Sequence, residues 1–509
     1  MHVYYVEKTI GGEAHLGVVS CMRNLRPFLT GFPTKFYGSA KRKQQEIFLR
    51  RRANLAASSL GEHALQFEFF LPAELLQKLS TSKRNRHYGS VTTFWAWLSQ
   101  LMDENASCSK AVSMVQAWCA QAQLPIPSSD TGAYCMARKR LAKSFLAGIH
   151  EHLSTLMTRR IRAQDRWQGH ILKAIDGTSV KLMDTSDNQE QYPQPASQKP
   201  GCGFPVMGVV GIINLSHGGW DAFATAPNDT HELTVTQRLM DQFESGDLVL
   251  ADRAFCSYEL IALLQQRGVH SLMRLHQARH RVLDWNQGEK LSKHERLVSW
   301  SKPARQSKSS KLSEEQWGAL PDTLSIRLVK HRCQGRDKQP RDIIIATTLR
   351  DPKHTGEELA ALYEQRWDIE VKIRDIKTTL GMEDFAVRTP EMAEKMLSMI
   401  AIAYNLIKAV SQQAAIENGQ SLAMMGFKGV LDIVVSYRSN YRGHHGHPTL
   451  RISLHRTLIM IVSTKLIDPR PGRQEPRAVK KRPKPFALLT APRAEYNEIQ
   501  HRSIYRKVA

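Results

Sequence analysis

Five things are missing from this 509-residue chain, and each absence removes a class of protein. The seven cysteines include no CxxC pair, which excludes a disulfide framework and a zinc module and points to a reducing cytoplasm. The start, MHVYYVEKTIGG, lacks the long apolar stretch of a secretory leader. The most apolar run, MLSMIAIAYNLI at 396–407, lies between Lys395 and Lys408. It is too short to span a bilayer and reads as a buried helix. No glycine-rich loop of the Walker or dinucleotide type is present, so nothing points to nucleotide-driven work. No internal repeat is visible at solenoid periods either.

Charge of one sign is in excess. Lys and Arg number 71 against 48 Asp and Glu, a net charge of +23. Folding does not call for such an imbalance; it speaks to partners. A protein this basic most often meets a polyanion, with nucleic acid the usual one and an acidic membrane surface the competing reading. The length is sufficient for roughly two to four domains with their own cores.

Residues 1–89 are mixed, with a basic cluster at Lys41, Arg42, Lys43, Arg50, Arg51 and Arg52. The stretch 90–167 reads as helices: TFWAWLSQLMDE, KAVSMVQAWCAQAQ and YCMARKRLAKSFLAGIHEHLSTLM. LPIPSSDTG supplies the turn and a Ser/Asp cap before the third. Arg138, Lys139 and Arg140 suit a DNA backbone, or equally the solvated rim of a bundle. From 168 to 275 the pattern becomes α/β. HILKAIDGTSVKL, VMGVVGIINL, WDAFATA, DLVLADRAF and VHSLMRL read as strands, and THELTVTQRLMDQF and SYELIALLQQRG as helices. A meander followed by strand–helix alternation indicates a mixed sheet. Residues 276–340 are a polar, basic insertion with an exposed loop at 302–311 and an alternating strand, LSIRLVK. The strand RDIIIATTL and a helix from about 355 to 380 follow. The chain is then helical to about 435, and 416–509 ends in a Pro-rich basic tail that reads as extended or disordered.

Two aspartates fall where strands deliver them. Asp176 follows an apolar strand in AIDGTS, and Asp252 ends another in VLADRAF. A carboxylate at the end of a buried strand is costly unless paired, capped or bound to a cation. Asp176-Gly177 is also a hairpin dipeptide, and Asp252 has Arg253 beside it. The third element is YEQRWDIEVKIRDIK at 363–377. At about 100° per residue, Tyr363, Arg366, Glu370 and Lys377 share an arc of about 60° beside an apolar stripe of Ile369, Ile373, Ile376 and Leu380. An ordinary solvated face with an Arg366–Glu370 pair explains the arc as well. Taken together, two aspartates and a glutamate supply the oxygen ligands for two Mg²⁺ ions. Such a pair activates a nucleophile and stabilises the leaving oxygen in phosphoryl transfer.

These residues resemble a known family. Y-x2-R-x3-E-x6-K, met by Tyr363, Arg366, Glu370 and Lys377, together with IDGT at 175–178 and ADRAF at 251–255, is similar to the bacterial insertion-sequence DDE transposases of the YREK group (insertion sequence 4 type). The resemblance covers about 168–415, and the insertion between the second Asp and the Glu matches the group's habit. It implies a ribonuclease-H-like mixed sheet flanked by helices, with a β-rich insertion and helical N- and C-terminal regions. It also implies a homodimer that binds the terminal inverted repeats of its element, cuts double-stranded DNA there and joins the 3′-hydroxyls to a target. Asp176, Asp252 and Glu370 would hold two Mg²⁺ ions, or Mn²⁺ in their place. Tyr363, Arg366, Lys377 and Arg253 would contact DNA. Some members hold a flipped base against a Trp of the insertion, and Trp285, Trp300 and Trp317 are candidates here. The expected site of action is the cytoplasm, on the nucleoid, with no membrane partner. A nuclease that cuts without joining, and a non-catalytic DNA-binding inhibitor, are the alternatives. His444, His445 and His447 read as a solvated loop more readily than a metal site. The basic run at 470–484 reads as a DNA arm or a solubilising tail.

Overall fold

Twelve residues, Ile171–Leu182, form β1, and the sheet is organised around them. Val206–Asn214 (β2) and Trp220–Pro227 (β3) follow as an antiparallel meander. Asp247–Ala251 (β4) pairs with β1 in parallel, and His270–Arg274 (β5) pairs with β4 in parallel. The order β3-β2-β1-β4-β5, antiparallel on one side of β1 and parallel on the other, is ribonuclease-H-like. β4 reads DLVLA without alternation because it is buried on both faces. This computed structural model describes residues 59–80, 87–103, 107–121, 124–307, 309–334, 340–441 and 448–467, with short pieces at 9–10, 13–14, 489–492 and 495–496. The basic cluster at 41–52, the histidines 444, 445 and 447 and the run 470–484 lie outside the described residues.

The insertion does not stand apart from the sheet. Glu289–Ser292 (β6), Glu295–Ser301 (β7) and Thr323–Gln334 (β8) run antiparallel to one another, and β8 pairs with Pro340–Thr347 (β9). β9 pairs in turn with β5, so a single sheet of ten strands extends from the core through the insertion. The tenth strand, Asp384–Phe385 (β10), pairs in parallel with the far end of β1. The expected alternation of LSIRLVK is absent, since Ile326, Arg327, Leu328 and Val329 are all buried. Arg327 is tolerated there because its Nε donates to Glu295 Oε2 at 2.9 Å.

Helices cover both faces. They include Ser59–Gln66 (α1), Ser90–Met102 (α2), Cys108–Gln121 (α3), Gly132–Arg140 (α4), Lys143–Arg159 (α5), Glu232–Thr236 (α6), Tyr258–Gln266 (α7), Gly356–Glu364 (α8), Trp367–Thr379 (α9), Pro390–Glu417 (α10), Phe427–Tyr437 (α11) and Pro448–Ser463 (α12). The single helix expected over YCMARKRLAKSFLAGIHEHLSTLM is two, because Leu141 and Ala142 are extended, with ψ 124° and 136°. Leu141 is buried at that corner, and the bend lets Tyr134 and Ala137 of α4 and Phe145, Leu146 and Ile149 of α5 reach one core. The expected Ser/Asp cap is not used on α4. Thr131 occupies the cap without a side-chain bond, and Ser128 Oγ accepts from the Asp130 N–H within the loop. Arg138 is buried over the Trp97 ring at 4.1 Å, which leaves Lys139 and Arg140 as the exposed cations of that run.

One apolar core joins α2–α5, α10, α11 and α12 to the face of the sheet carrying Leu172, Ala174, Leu248 and Leu250. The other core lies beneath α6, α7 and the insertion strands. The run 396–407 is the buried middle of α10, and no described helix is long and apolar enough to cross a membrane.

Lys408 of α10 is buried against Tyr404 and Phe427. Burial, reinforced by Lys372, pulls its ammonium from 10.5 down to about 7, with Asp375 opposing. A lysine whose folded value is lowered binds fewer protons folded than unfolded, so stability rises with pH from about 7 towards 10.5. Lys408→Met is expected to stabilise the protein near neutral pH by roughly 1–4 kcal/mol and to flatten that rise. Urea titrations across this range check both effects.

Candidate active site

β1 runs straight through Asp176-Gly177. Gly177 pairs with Val210 in mid-strand, so the hairpin reading of this dipeptide fails. Ile175 is in register with Ala251 of β4. Asp176 and Asp252 are the next residues on these adjacent parallel strands, about one strand spacing of 4.8 Å apart. By the alternation of strand side chains they share the face of Leu172, Ala174, Leu248 and Leu250. Arg253, beside Asp252, is exposed.

The helix expected over 355–380 is also two. The N–H groups of Gln365, Arg366, Asp368 and Ile369 bond three residues back, to Leu362, Tyr363, Gln365 and Arg366. This tight turn puts Arg366 at the junction of α8 and α9. A capping box starts α8: Thr355 Oγ1 accepts from the Glu358 N–H at 3.2 Å, and Glu358 Oε2 accepts from the Thr355 N–H at 2.9 Å. The expected stripe is in place, with Ile369, Ile376 and Leu380 buried and Ile373 half-buried. Beside it, Arg366 Nη2 donates to Glu370 Oε1 at 3.2 Å. Tyr363 and Arg366 are only 6% and 7% exposed, so they lie under the site rather than on its surface.

Charge ties these elements together. Burial pushes the Asp176 carboxyl from 3.8 up to about 6; the Gly177 N–H and Arg366 oppose this, while Glu232 and Glu370 add to it. Burial works against the Arg366 charge, but Tyr363, Asp252 and Glu370 outweigh it and hold the guanidinium protonated. Burial raises the Tyr363 phenol. Asp176, Glu370 and Lys377 line one cavity of about 260 Å³ with Gly177, Arg374 and Glu383. Burial lowers the Lys377 ammonium, opposed by Glu383.

Glu232 was legible only as a residue of a helix; nothing in THELTVTQRL marks it as part of this site. It opens α6, and its carboxyl is raised by burial and by Asp252, with His231 opposing. As the side chains stand, no three His, Cys, Asp or Glu groups among the described residues converge closely enough to hold one ion. The donor set nevertheless fits Mg²⁺ or Mn²⁺: hard carboxylate oxygens on neighbouring elements, costly to leave uncompensated. Asp176, Asp252 and Glu370 are the residues that would hold the ions. In the insertion, Trp300 is buried under Arg279 at 4.0 Å. Trp285 and Trp317 are half-buried, with Arg296 and Lys302 over their rings.

The sheet thus carries one aspartate within its first strand and another just past the end of its fourth, with a glutamate on a following helix. Residues 167–406 match the family model described as the transposase DDE domain. The chain is 25% identical over 379 residues to the transposase InsG for insertion sequence element IS4 of Escherichia coli (strain K12), covering 72% of this chain and 80% of that relative. It is 27% identical over 207 residues to the transposase InsZ of the same strain, covering 38% and 60%. Over these residues the chain is similar to the transposase DDE domain and to transposases of insertion sequence element IS4. A loose structural likeness, with a TM-score of 0.41 at 11% identity over 82% of this chain and 87% of the other, is to a piggyBac transposase synaptic complex with hairpin DNA.

Proposed function

We propose that the protein is a Mg²⁺-dependent transposase that acts as a homodimer on the terminal inverted repeats of its own insertion sequence. It cuts double-stranded DNA at the ends and joins the freed 3′-hydroxyls to target DNA, working in the cytoplasm on the nucleoid. The observation that carries this reading is the cavity shared by Asp176 and Glu370, with Arg366 bonded to Glu370 and Asp252 one position past the strand paired with β1. Two divalent ions bound there would supply nucleophile activation and leaving-oxygen stabilisation.

The chain's own residues do the rest. Asp176 lies within β1 and Asp252 directly follows β4, so the pairing of Ile175 with Ala251 keeps their backbones about one strand spacing apart. Glu370 is presented by a helix that packs on β1, so its approach is set by the Ile369 and Ile376 contacts. Arg366 offsets the negative charge while the ions are absent. Lys377 on the cavity wall and the exposed Arg253 would grip DNA phosphates. Tyr363 and Arg366 would meet the DNA end from the floor of the site.

The test is incubation with inverted-repeat DNA, a target plasmid and Mg²⁺, scoring cut and joined products. Joined product is the expected result. Cutting without joining would favour the nuclease, and binding alone the inhibitor. End binding should weaken steeply with salt while its preference over random DNA survives; indifference to sequence would count against an end-specific enzyme.

A further inference from the structure

We propose that Glu232 is a fourth metal-binding carboxylate of this site, reaching it across Gly177. The inference rests on the transposase reading above and extends it to a residue that reading does not use. Gly177 follows Asp176 in β1 and, by the alternation of a strand, faces the opposite side of the sheet from Asp176. On that side α6 begins, and Glu232 is its first residue. A Cβ built on Gly177 would collide with Glu232 Oε1, with its Cδ at 2.6 Å and its Cγ at 3.2 Å. The glutamate therefore fills the space that any other residue at 177 would occupy.

Gly177 has an ordinary strand conformation: it is absent from the residues with positive φ and is paired with Val210. The backbone does not require a glycine there, but the carboxylate does. Glu232 is also within electrostatic reach of both aspartates. It is half-buried, so its charge is not simply left to solvent. Asp176, Asp252 and Glu370 lie on the other face; β4 pairs with β1 only as far as Ile175 and Ala251, so the flank of Asp176-Gly177 beyond is open and Glu232 adds its oxygen donor around that edge. A divalent ion held between the two aspartates takes six oxygens, and protein groups and waters share that number.

The experiment compares wild type, Asp176→Asn, Glu232→Gln, Gly177→Ala and the double variant Gly177→Ala/Glu232→Ala. Mn²⁺ binding is read by the loss of the free-ion electron paramagnetic resonance signal, and metal-free stability by urea. Glu232→Gln is expected to weaken Mn²⁺ binding by about tenfold or more, with metal-free stability unchanged or raised. Gly177→Ala should lose stability, and removing the Glu232 side chain in the double variant should restore it without restoring Mn²⁺ affinity. A Glu232→Gln protein that loses stability but binds Mn²⁺ as wild type does would overturn the proposal and leave Glu232 a packing residue. If wild type and Asp176→Asn bind Mn²⁺ equally, the metal site of the transposase reading fails, and this inference falls with it. If Asp176→Asn alone is impaired, only the role of Glu232 is lost.

Discussion

Asp252→Ala and Asp176→Asn are expected to reduce DNA cutting by about 10³-fold or more, the scale lost when a principal electrostatic stabiliser of a transition state is removed. Binding to transposon ends, measured by gel shift, should survive in both. The separation is expected because the fold does not depend on these oxygens. Asp176 sits at a half-buried position where its charge is a burden to the metal-free protein. Its folded value of about 6 lies above 3.8, so the folded state holds the extra proton between these values. Stability gained from that proton is present below about 3.8 and lost as pH rises through about 6. Asp176→Asn should remove this decline, giving a metal-free protein at pH 7 no less stable than wild type by urea. Unchanged cutting would remove the substituted aspartate from the site. Cutting and end binding lost together would mean that the fold had been damaged instead.

Lys173→Met is expected to be the most destabilising single change in β1, by about 3–5 kcal/mol in urea at neutral pH. Lys173 Nζ lies 2.8 Å from Asp247 Oδ2 and 3.8 Å from Asp221 Oδ2, and it donates to the Gln242 carbonyl at 2.7 Å. All three ionic groups are buried, beside a cavity of about 950 Å³ that contains none of the candidate site residues. Asp221 also accepts from Ser154 Oγ at 2.8 Å and Asn214 Nδ2 at 3.2 Å, and His217 Nε2 lies 3.0 Å from it. Burial alone would raise Asp221, but His217 and Lys173 outweigh it and hold the carboxyl below 3.8. That depressed value contributes stability above the unfolded 3.8, which is lost as pH falls through the folded value. Without the lysine, two carboxylates face each other in the core. The penalty of Lys173→Met should therefore shrink at pH 4, where protons can replace the missing cation. An equal penalty at both pH values would mean that the methionine fails through packing.

The strands were legible, and the three carboxylates could be singled out as candidates, because their signals are local. An apolar run that ends on an aspartate is visible without any knowledge of its neighbour, as with DLVLAD. What was missed depends on which elements meet. The break at Leu141–Ala142 interrupts a pattern that is helical on both sides, and it is imposed by the core beneath. The helix wheel placed Tyr363 and Arg366 on an outward arc, but the tight turn at Arg366 and the sheet below bury both. Glu232 had no sequence signal because its significance lies in the missing side chain of Gly177, 55 positions earlier in the chain. The insertion read as an interruption because its polarity describes its outer edge, while β8 continues the sheet.

That continuity gives the insertion leverage. β9 pairs with β5 on one side and β8 on the other, and the chain leaves it for α8 and then Glu370. The insertion also grips the start of that path: Arg327 Nη1 donates to the Asp351 carbonyl at 3.2 Å, and the Glu295 carboxylate closes on Gly356. The outer strands and the helix that carries Glu370 are therefore joined through one strand, β9. Shortening the outer β6–β7 hairpin would free the α8 entrance from Glu295, loosening a hinge far from the scissile bond.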